Sequence, residues 1–72
     1  MEPVIQTTIT NTDGGVKETT RQFETAEEAE KMLREKAEKL TDVDIEKIDG
    51  NLSATGFNKN GDVVTIFNFD DK

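Results

Sequence analysis

Residues 25–40, TAEEAEKMLREKAEKL, separate two segments rich in β-branched residues and therefore decide the fold. Thr25 and Glu28 have the spacing of a capping box, which predicts that a helix begins here. Lys36 and Lys39 lie late in the segment, where the helix dipole favours positive charge. Apolar residues recur at helical spacing in one narrow stripe: Ala26, Ala29, Leu33, Ala37 and Leu40, with Met32 beside them. The sequence predicts a helix that packs against another element along one side.

The segment before the helix predicts a β-hairpin. PVIQTTIT and VKETTRQF have the composition of strands, and they flank the strong turn signal NTDGG. A three-residue loop, Asp13–Gly15, fits a turn that a glycine with positive φ closes. This register pairs Ile5 with Phe23 and Ile9 with Thr19. It therefore predicts that the large apolar residues of the hairpin share one face.

The last third of the chain predicts a second hairpin. NLSATGFN and VVTIFNF flank KNGD, in which Asn60-Gly61 fits a two-residue type I′ turn. That turn pairs Phe57 with Val64 and Ala54 with Phe67. One predicted face carries Leu52, Ala54, Gly56, Val63, Phe67 and Phe69. The other carries Phe57, Val64 and Ile66 among Ser53, Thr55 and Asn68.

Two hairpins around one helix predict a single α+β domain over residues 1–72, with the element order ββαββ. The helix packs across one face of a four-stranded mixed sheet, and it is long enough to cross over between parallel strands. The last strand is the most apolar and is expected in the middle. The charged second strand and the glycine-interrupted third strand suit the edges. The predicted strand order is 2-1-4-3, with strands one and four parallel.

The acidic stretch LTDVDIEKIDGN, residues 40–51, invites comparison with a calcium-binding loop. Counted from Asp42, carboxylates stand at positions 1, 3 and 5. Position 6 is Lys47 and position 12 is Ser53, where an EF-hand needs Gly and Glu. No second helix is predicted after the stretch. We therefore interpret it as a solvated acidic connection and expect no metal site.

The composition argues against several classes of function. The chain of 72 residues has no Cys and no His, so it lacks thiol chemistry, the commonest general base and the commonest zinc ligand. We expect no enzymatic activity and no cofactor. Sixteen acidic residues against nine basic ones, a net charge of −7, disfavour direct binding of nucleic acid. No apolar run approaches the length of a membrane span, and no signal peptide is visible. We therefore expect no membrane contact and favour a cytoplasmic location.

VKETTRQFETAEEAEKML, a strand running into a capped helix, and GDVVTIFNFDDK, a closing strand, carry a family resemblance. The layout resembles the β-grasp immunoglobulin-binding domains of bacterial surface proteins, of the protein G and protein L type. The resemblance implies a β-grasp-like domain over residues 1–72 that binds proteins, immunoglobulins included. Those domains carry Tyr or Trp at contact positions, whereas this chain has neither. The resemblance therefore transfers no contact residue.

The first functional hypothesis is a small non-catalytic protein-binding module that acts through a sheet face or an edge strand. The predicted outer face of the sheet exposes Phe57, Val64 and Ile66, which could contact a partner protein or a second copy in a weak dimer. On the charged second strand, Thr19, Thr20 and Arg21 could pair with an extended partner. Charged residues on an edge strand more often prevent such pairing, and Lys17 and Arg21 fit that alternative.

Two alternatives stay open. An acidic protein can inhibit a nucleic-acid-binding partner by presenting carboxylates where phosphates would lie, and the net charge of −7 motivates this hypothesis. Binding of that kind falls as salt rises, whereas an apolar interface survives. The regular helix is also what a designed or purely structural domain would contain.

Overall fold

The computed structural model describes residues 3–70, and the predicted helix is present as α1, Ala26–Ala37. Its N-terminus is capped by Thr25, whose Oγ1 accepts a hydrogen bond from the backbone N–H of Glu28 at 3.2 Å. The buried residues of the helix belong to the predicted apolar stripe: Ala29, Leu33 and Ala37. No helix within residues 3–70 has the length and apolar character needed to cross a membrane.

Five strands form one antiparallel sheet, and α1 lies on one side of it. Their bounds are β1 Val4–Thr12, β2 Gly15–Phe23, β3 Thr41–Ile48, β4 Asn51–Phe57 and β5 Val63–Asp70. The order across the sheet is β2-β1-β5-β4-β3. The strand β5 is therefore the middle one, while β2 and β3 are the edges. The protein is a small α+β domain.

The prediction of a four-stranded mixed sheet with order 2-1-4-3 is wrong. The acidic stretch that was interpreted as a connection forms the edge strand β3, which pairs with β4. Asp49 and Gly50 join the two strands with φ angles of 51° and 84°, as a type I′ turn requires. The extra strand reverses the direction of the last strand. As a result β5 runs antiparallel to β1, and residues 3–70 contain no crossover between parallel strands.

The register of the first hairpin is one residue from the predicted one. Thr12 pairs with Gly15, so the loop has two residues rather than three. The Thr12 hydroxyl accepts a hydrogen bond from the Gly14 N–H at 3.2 Å and donates one to the Gly15 carbonyl at 3.1 Å. Phe23 consequently lies opposite Val4 on the helix side of the sheet. Ile5, which was expected beside Phe23, points to the other side.

The register between β4 and β5 also differs by one residue from the prediction. Asn58 holds a five-residue loop, because its Oδ1 accepts hydrogen bonds from the backbone N–H groups of Asn60 at 2.9 Å and Asp62 at 3.0 Å. Phe57 therefore pairs with Val63 instead of Val64. Side chains alternate along a strand, so this shift moves the apolar residues of β5 to the opposite side of the sheet relative to β4.

Two apolar clusters lie between α1 and the sheet. The larger contains Leu33, Ala37, Leu52, Ala54, Val64 and Ile66, with Leu40 and Val43 against it. The smaller contains Val4, Phe23 and Ala29, with Met32 against it. The helix therefore packs chiefly on the three inner strands, and both edges extend beyond it.

A buried polar contact fixes the helix on the sheet. The Gln6 Nε2 donates one hydrogen bond to the Ala29 carbonyl at 2.9 Å and another to the Asn68 Oδ1 at 3.0 Å. Gln6 and Asn68 are both buried, so water does not compete for these groups. One side chain thus connects β1, β5 and the middle of α1.

Gly56 of β4 lies against the first residues of β3 and against Leu40, which precedes them. A Cβ built there would stand 2.9 Å from the Val43 Cγ2 and 3.1 Å from the Thr41 carbonyl oxygen. We expect Gly56→Ala to lower the free energy of unfolding by about 1–3 kcal/mol, since backbone must move to admit the methyl group. In an unobstructed strand the same change would stabilise. Urea denaturation measures the sign, and Thr55→Ala at the neighbouring exposed position is the control.

Candidate functional site

The structure does not bring together the predicted patch of Phe57, Val64 and Ile66. Val64 and Ile66 are buried beneath α1, with exposed fractions of 7% and 1%. Phe57 lies on the opposite side of the sheet and is 41% exposed. The prediction that all three share the outer face is wrong, because the Asn58 loop sets a different register from the one expected of Asn60-Gly61.

The three polar residues predicted on an edge strand do lie on an edge, since β2 is the outermost strand on its side. Their side chains point in two directions. Thr20 points away from the helix, whereas Thr19 and Arg21 are on the helix side. The Arg21 guanidinium stacks over the Phe23 ring, 5.0 Å from its centroid. Binding of an extended partner at this edge stays a prediction.

The side of the sheet away from α1, here called the open face, carries a set of apolar residues that no other element of residues 3–70 covers. Each register pair places them in cross-strand rows: Ile5 beside Phe69, Thr7 beside Phe67, Ile9 beside Thr65, and Phe57 beside Val63. Three of the four phenylalanines of the chain therefore lie on the open face. In a soluble monomer a contiguous apolar surface of this kind marks a contact site.

The middle strand supplies the centre of the open face. Phe67 and Phe69 stack with their ring centroids 5.8 Å apart. Phe69 is 41% exposed, whereas Thr7, which lies opposite Phe67 on the neighbouring strand β1, is buried. Thr65 continues the same column toward the Asn58 loop. The centre is thus aromatic and firmly packed at its base, although its outer surface is open.

A hollow of about 350 Å³ lies beside these rings. The pairing of β4 with β5 ends at Ser53 and Phe67, and the two strands separate beyond that point. Ile48 and Phe69 line the hollow together with Ser53. The open face therefore combines protruding aromatic rings with a depression into which an apolar side chain can fit.

Charged residues border the open face instead of crossing it. Glu18 lies on the edge strand β2, and Asp44 and Glu46 lie on the edge strand β3. Within residues 3–70, no group of three His, Cys, Asp or Glu side chains is placed to hold a metal ion. The acids therefore form a solvated border around an apolar centre.

Protein-family models, curated proteins and solved structures were compared with the chain. None of them matches it.

Sequence reasoning assigned most of the open face to the wrong side. Phe67 and Phe69 were placed with Leu52 and Ala54, which in fact lie under the helix. In VVTIFNF both phases of the strand are apolar, so hydrophobic alternation cannot choose between the two sides. The missed signal is Asn58, because an Asn at the start of a loop can accept hydrogen bonds from backbone two residues on.

On the helix side, Lys36 extends from α1 over β1, where its Nζ donates a hydrogen bond to the Thr8 Oγ1 at 3.2 Å. Burial, and in addition the positive charge of Arg21, lower the pKa of Lys36 below 10.5, the ordinary value. No carboxylate lies within ion-pair distance; among residues 3–70 the only ion pair is Glu30–Arg34. Lys36 is therefore an uncompensated charge beside the core.

We expect Arg21→Gln to raise the pKa of Lys36 by less than half of the difference from 10.5, since burial is the larger cause. NMR titration of the Lys36 side chain measures this, and Lys39→Gln is the control.

The lowered pKa of Lys36 also predicts a pH dependence of stability, because the folded state binds the proton of the Lys36 ammonium group less tightly than the unfolded state. Stability should therefore rise with pH between the folded pKa and the unfolded one, and Lys36→Met should remove that rise. A Lys36 pKa at or above 10.5 would contradict the assignment.

Ile66→Lys should prevent folding. The substitution removes a fully buried side chain, which costs about 2–5 kcal/mol, and places an ammonium group among the apolar residues beneath α1. A domain of this size has roughly 3–5 kcal/mol in total. Thr65→Lys, one residue earlier and on the open face, should retain a cooperative thermal transition in circular dichroism. A folded Ile66→Lys protein would show that the register of β5 is misassigned.

Proposed function

We propose that the protein is a small non-catalytic protein-binding module whose contact surface is the open face. The observation that carries this proposal is the apolar column of β5 and its neighbours, which no other element in the described part of the chain covers on that side of the sheet. On the other side, comparable side chains of the same strands are buried by α1. Apolar residues left uncovered at the centre of a sheet are those that binding to another protein would bury.

The chemistry of the surface indicates the kind of partner. Aromatic rings at the centre and carboxylates at the border match the usual arrangement of an apolar interface core with a polar rim. Phe67 and Phe69 are the expected anchors, because aromatic side chains near the middle of an interface contribute most of its affinity. The partner should present an apolar surface with a side chain that can enter the hollow beside β5.

The test uses immobilised wild-type protein and two variants matched in exposure. Phe69 on the open face and Ile45 on the helix side are both 41% exposed, so Phe69→Thr and Ile45→Thr remove similar apolar areas from opposite sides. Proteins are captured from a lysate of the source organism at low and high salt, with purified immunoglobulin as an added candidate. We expect a partner that wild type and Ile45→Thr retain at high salt and that Phe69→Thr loses.

Two other outcomes would contradict the proposal. Loss of the partner on Ile45→Thr alone would move the contact surface to the helix side. Capture of a basic protein only at low salt, with Phe69→Thr still active, would support the acidic inhibitor instead, because ionic contacts weaken as salt screens them.

A further inference from the structure

The area of the open face is sufficient for an interface between two copies of the chain. Strands lie about 4.8 Å apart and rise about 3.3 Å per residue, so five strands of eight residues make a surface of roughly 600 Å². Two such surfaces pressed together bury roughly 1,200 Å², the lower end of the range for specific protein interfaces. A small domain can reach that area only by using its whole open face.

The position of β5 makes the open face suited to two-fold symmetry. Because β5 is the middle of five strands, a two-fold axis through the centre of the open face stacks β5 on β5 of the second copy. The axis passes between Thr65 and Phe67. Two aromatic columns then meet at the centre, as two sheets do when they pack face to face about 10 Å apart.

The two ends of the open face are complementary to each other. Phe57 stands at one end, beside Val63, and the hollow next to Phe69 lies at the other. A two-fold axis that lies between the two sheets, perpendicular to the strands, exchanges the two ends of the open face. It therefore places Phe57 of the second copy above the hollow of the first. This occurs twice in the dimer, as an isologous interface requires.

Charge opposes this arrangement at low salt, although the carboxylates lie at its rim. An axis across the strands stacks β3 on β3 of the second copy, so Asp44 of one copy lies near Glu46 of the other. Both copies also carry a net charge of −7, so they repel each other at a distance. Salt screens this repulsion and should strengthen the association, whereas it would weaken binding to a basic protein.

We propose that the open face binds a second copy of this chain, giving a two-fold dimer in which the two sheets pack face to face with β5 on β5. This inference rests on the proposed function and names its partner. The dimer is a four-layer assembly of helix, sheet, sheet and helix, and the aromatic side chains of the open face form its middle.

The first experiment changes one threonine on each side of the sheet. Thr65 lies at the proposed axis and Thr10 lies on the helix side of β1, and both are half-buried. We expect wild type and Thr10→Glu to sediment as dimers at high micromolar concentration. Thr65→Glu places a carboxylate of each copy against the Phe67 ring of the other, and should weaken dimerisation by at least about 30-fold, the effect of losing a central contact. Circular dichroism checks that each variant is folded.

The second experiment uses the absence of cysteine from the chain. Thr65→Cys should give a covalent dimer with a bis-maleimide of matching span, because the two thiols flank the axis on sheets about 10 Å apart, too far for a direct disulfide. Thr10→Cys, on the side covered by the helix, should not. This substitution changes the side chain little, so it decides the question if Thr65→Glu fails to fold.

The outcomes separate this inference from the proposed function. A monomer at all concentrations would overturn the face-to-face dimer. So would a dimer that Thr65→Glu does not weaken and that Thr65→Cys does not link covalently. If the purified chain is monomeric but a different protein is captured at high salt and lost on Phe69→Thr, the proposed function stands with another partner. If neither the second copy nor any other protein depends on the open face, both fail.

Discussion

The hydrogen bonds that Asn58 makes in the loop between β4 and β5 set the register on which the rest of the structure depends. Its Oδ1 holds the N–H groups of Asn60 and Asp62, so Phe57 pairs with Val63. In a sheet with a helix on only one side, a shift of one residue in β5 would exchange every buried side chain of that strand for an exposed one. The register places Val64 and Ile66 beneath α1, and the same choice leaves Phe67 and Phe69 uncovered.

The buried amide of Gln6 acts together with that register. Asn68 accepts its hydrogen bond only because Asn68 points to the helix side, in step with Val64 and Ile66. The same amide holds the Ala29 carbonyl, and so determines where α1 lies along the sheet. Register and helix position are therefore coupled. A shift of β5 by one residue would lose the hydrogen bond between Gln6 and Asn68 as well as the burial of Val64 and Ile66. Both losses favour the observed register over the shifted one.

Local signals in the sequence predicted part of this fold. The helix was found from its capping pattern and apolar stripe, and β2 and β5 were placed correctly at an edge and in the middle. The error that changed the topology lay in residues 41–50. Asp49-Gly50 is a hairpin signal, and Val43 and Ile45 alternate with acids, but the charge of the segment led to its interpretation as a connection. A solvated edge strand can carry acids on both sides, because little of it is buried.

The candidate site could not be derived from the sequence for a different reason. The side on which its residues lie depended on two turns, and each turn shifted the strand register by one residue from the expected one. Both turns are set by side chains that bond to the backbone, the Thr12 hydroxyl and the Asn58 amide oxygen. Composition and spacing do not distinguish a two-residue loop from a three-residue loop when glycines follow one another. Of the apolar residues of the open face, Phe57 was predicted there, whereas Phe67 and Phe69 were placed on the side of Leu52 and Ala54.

The distribution of apolar residues across the sheet connects the fold to its function. A helix of 12 residues is about 18 Å long, too short to cover both edges of five strands, and it covers one side only. The core beneath it is thin, in a chain that is 32% hydrophobic. An antiparallel sheet can keep one face in water, and within residues 3–70 no second layer covers the open face. Binding at the open face would supply it to the strands that already hold the core, so association and folding stability would rise together with protein concentration.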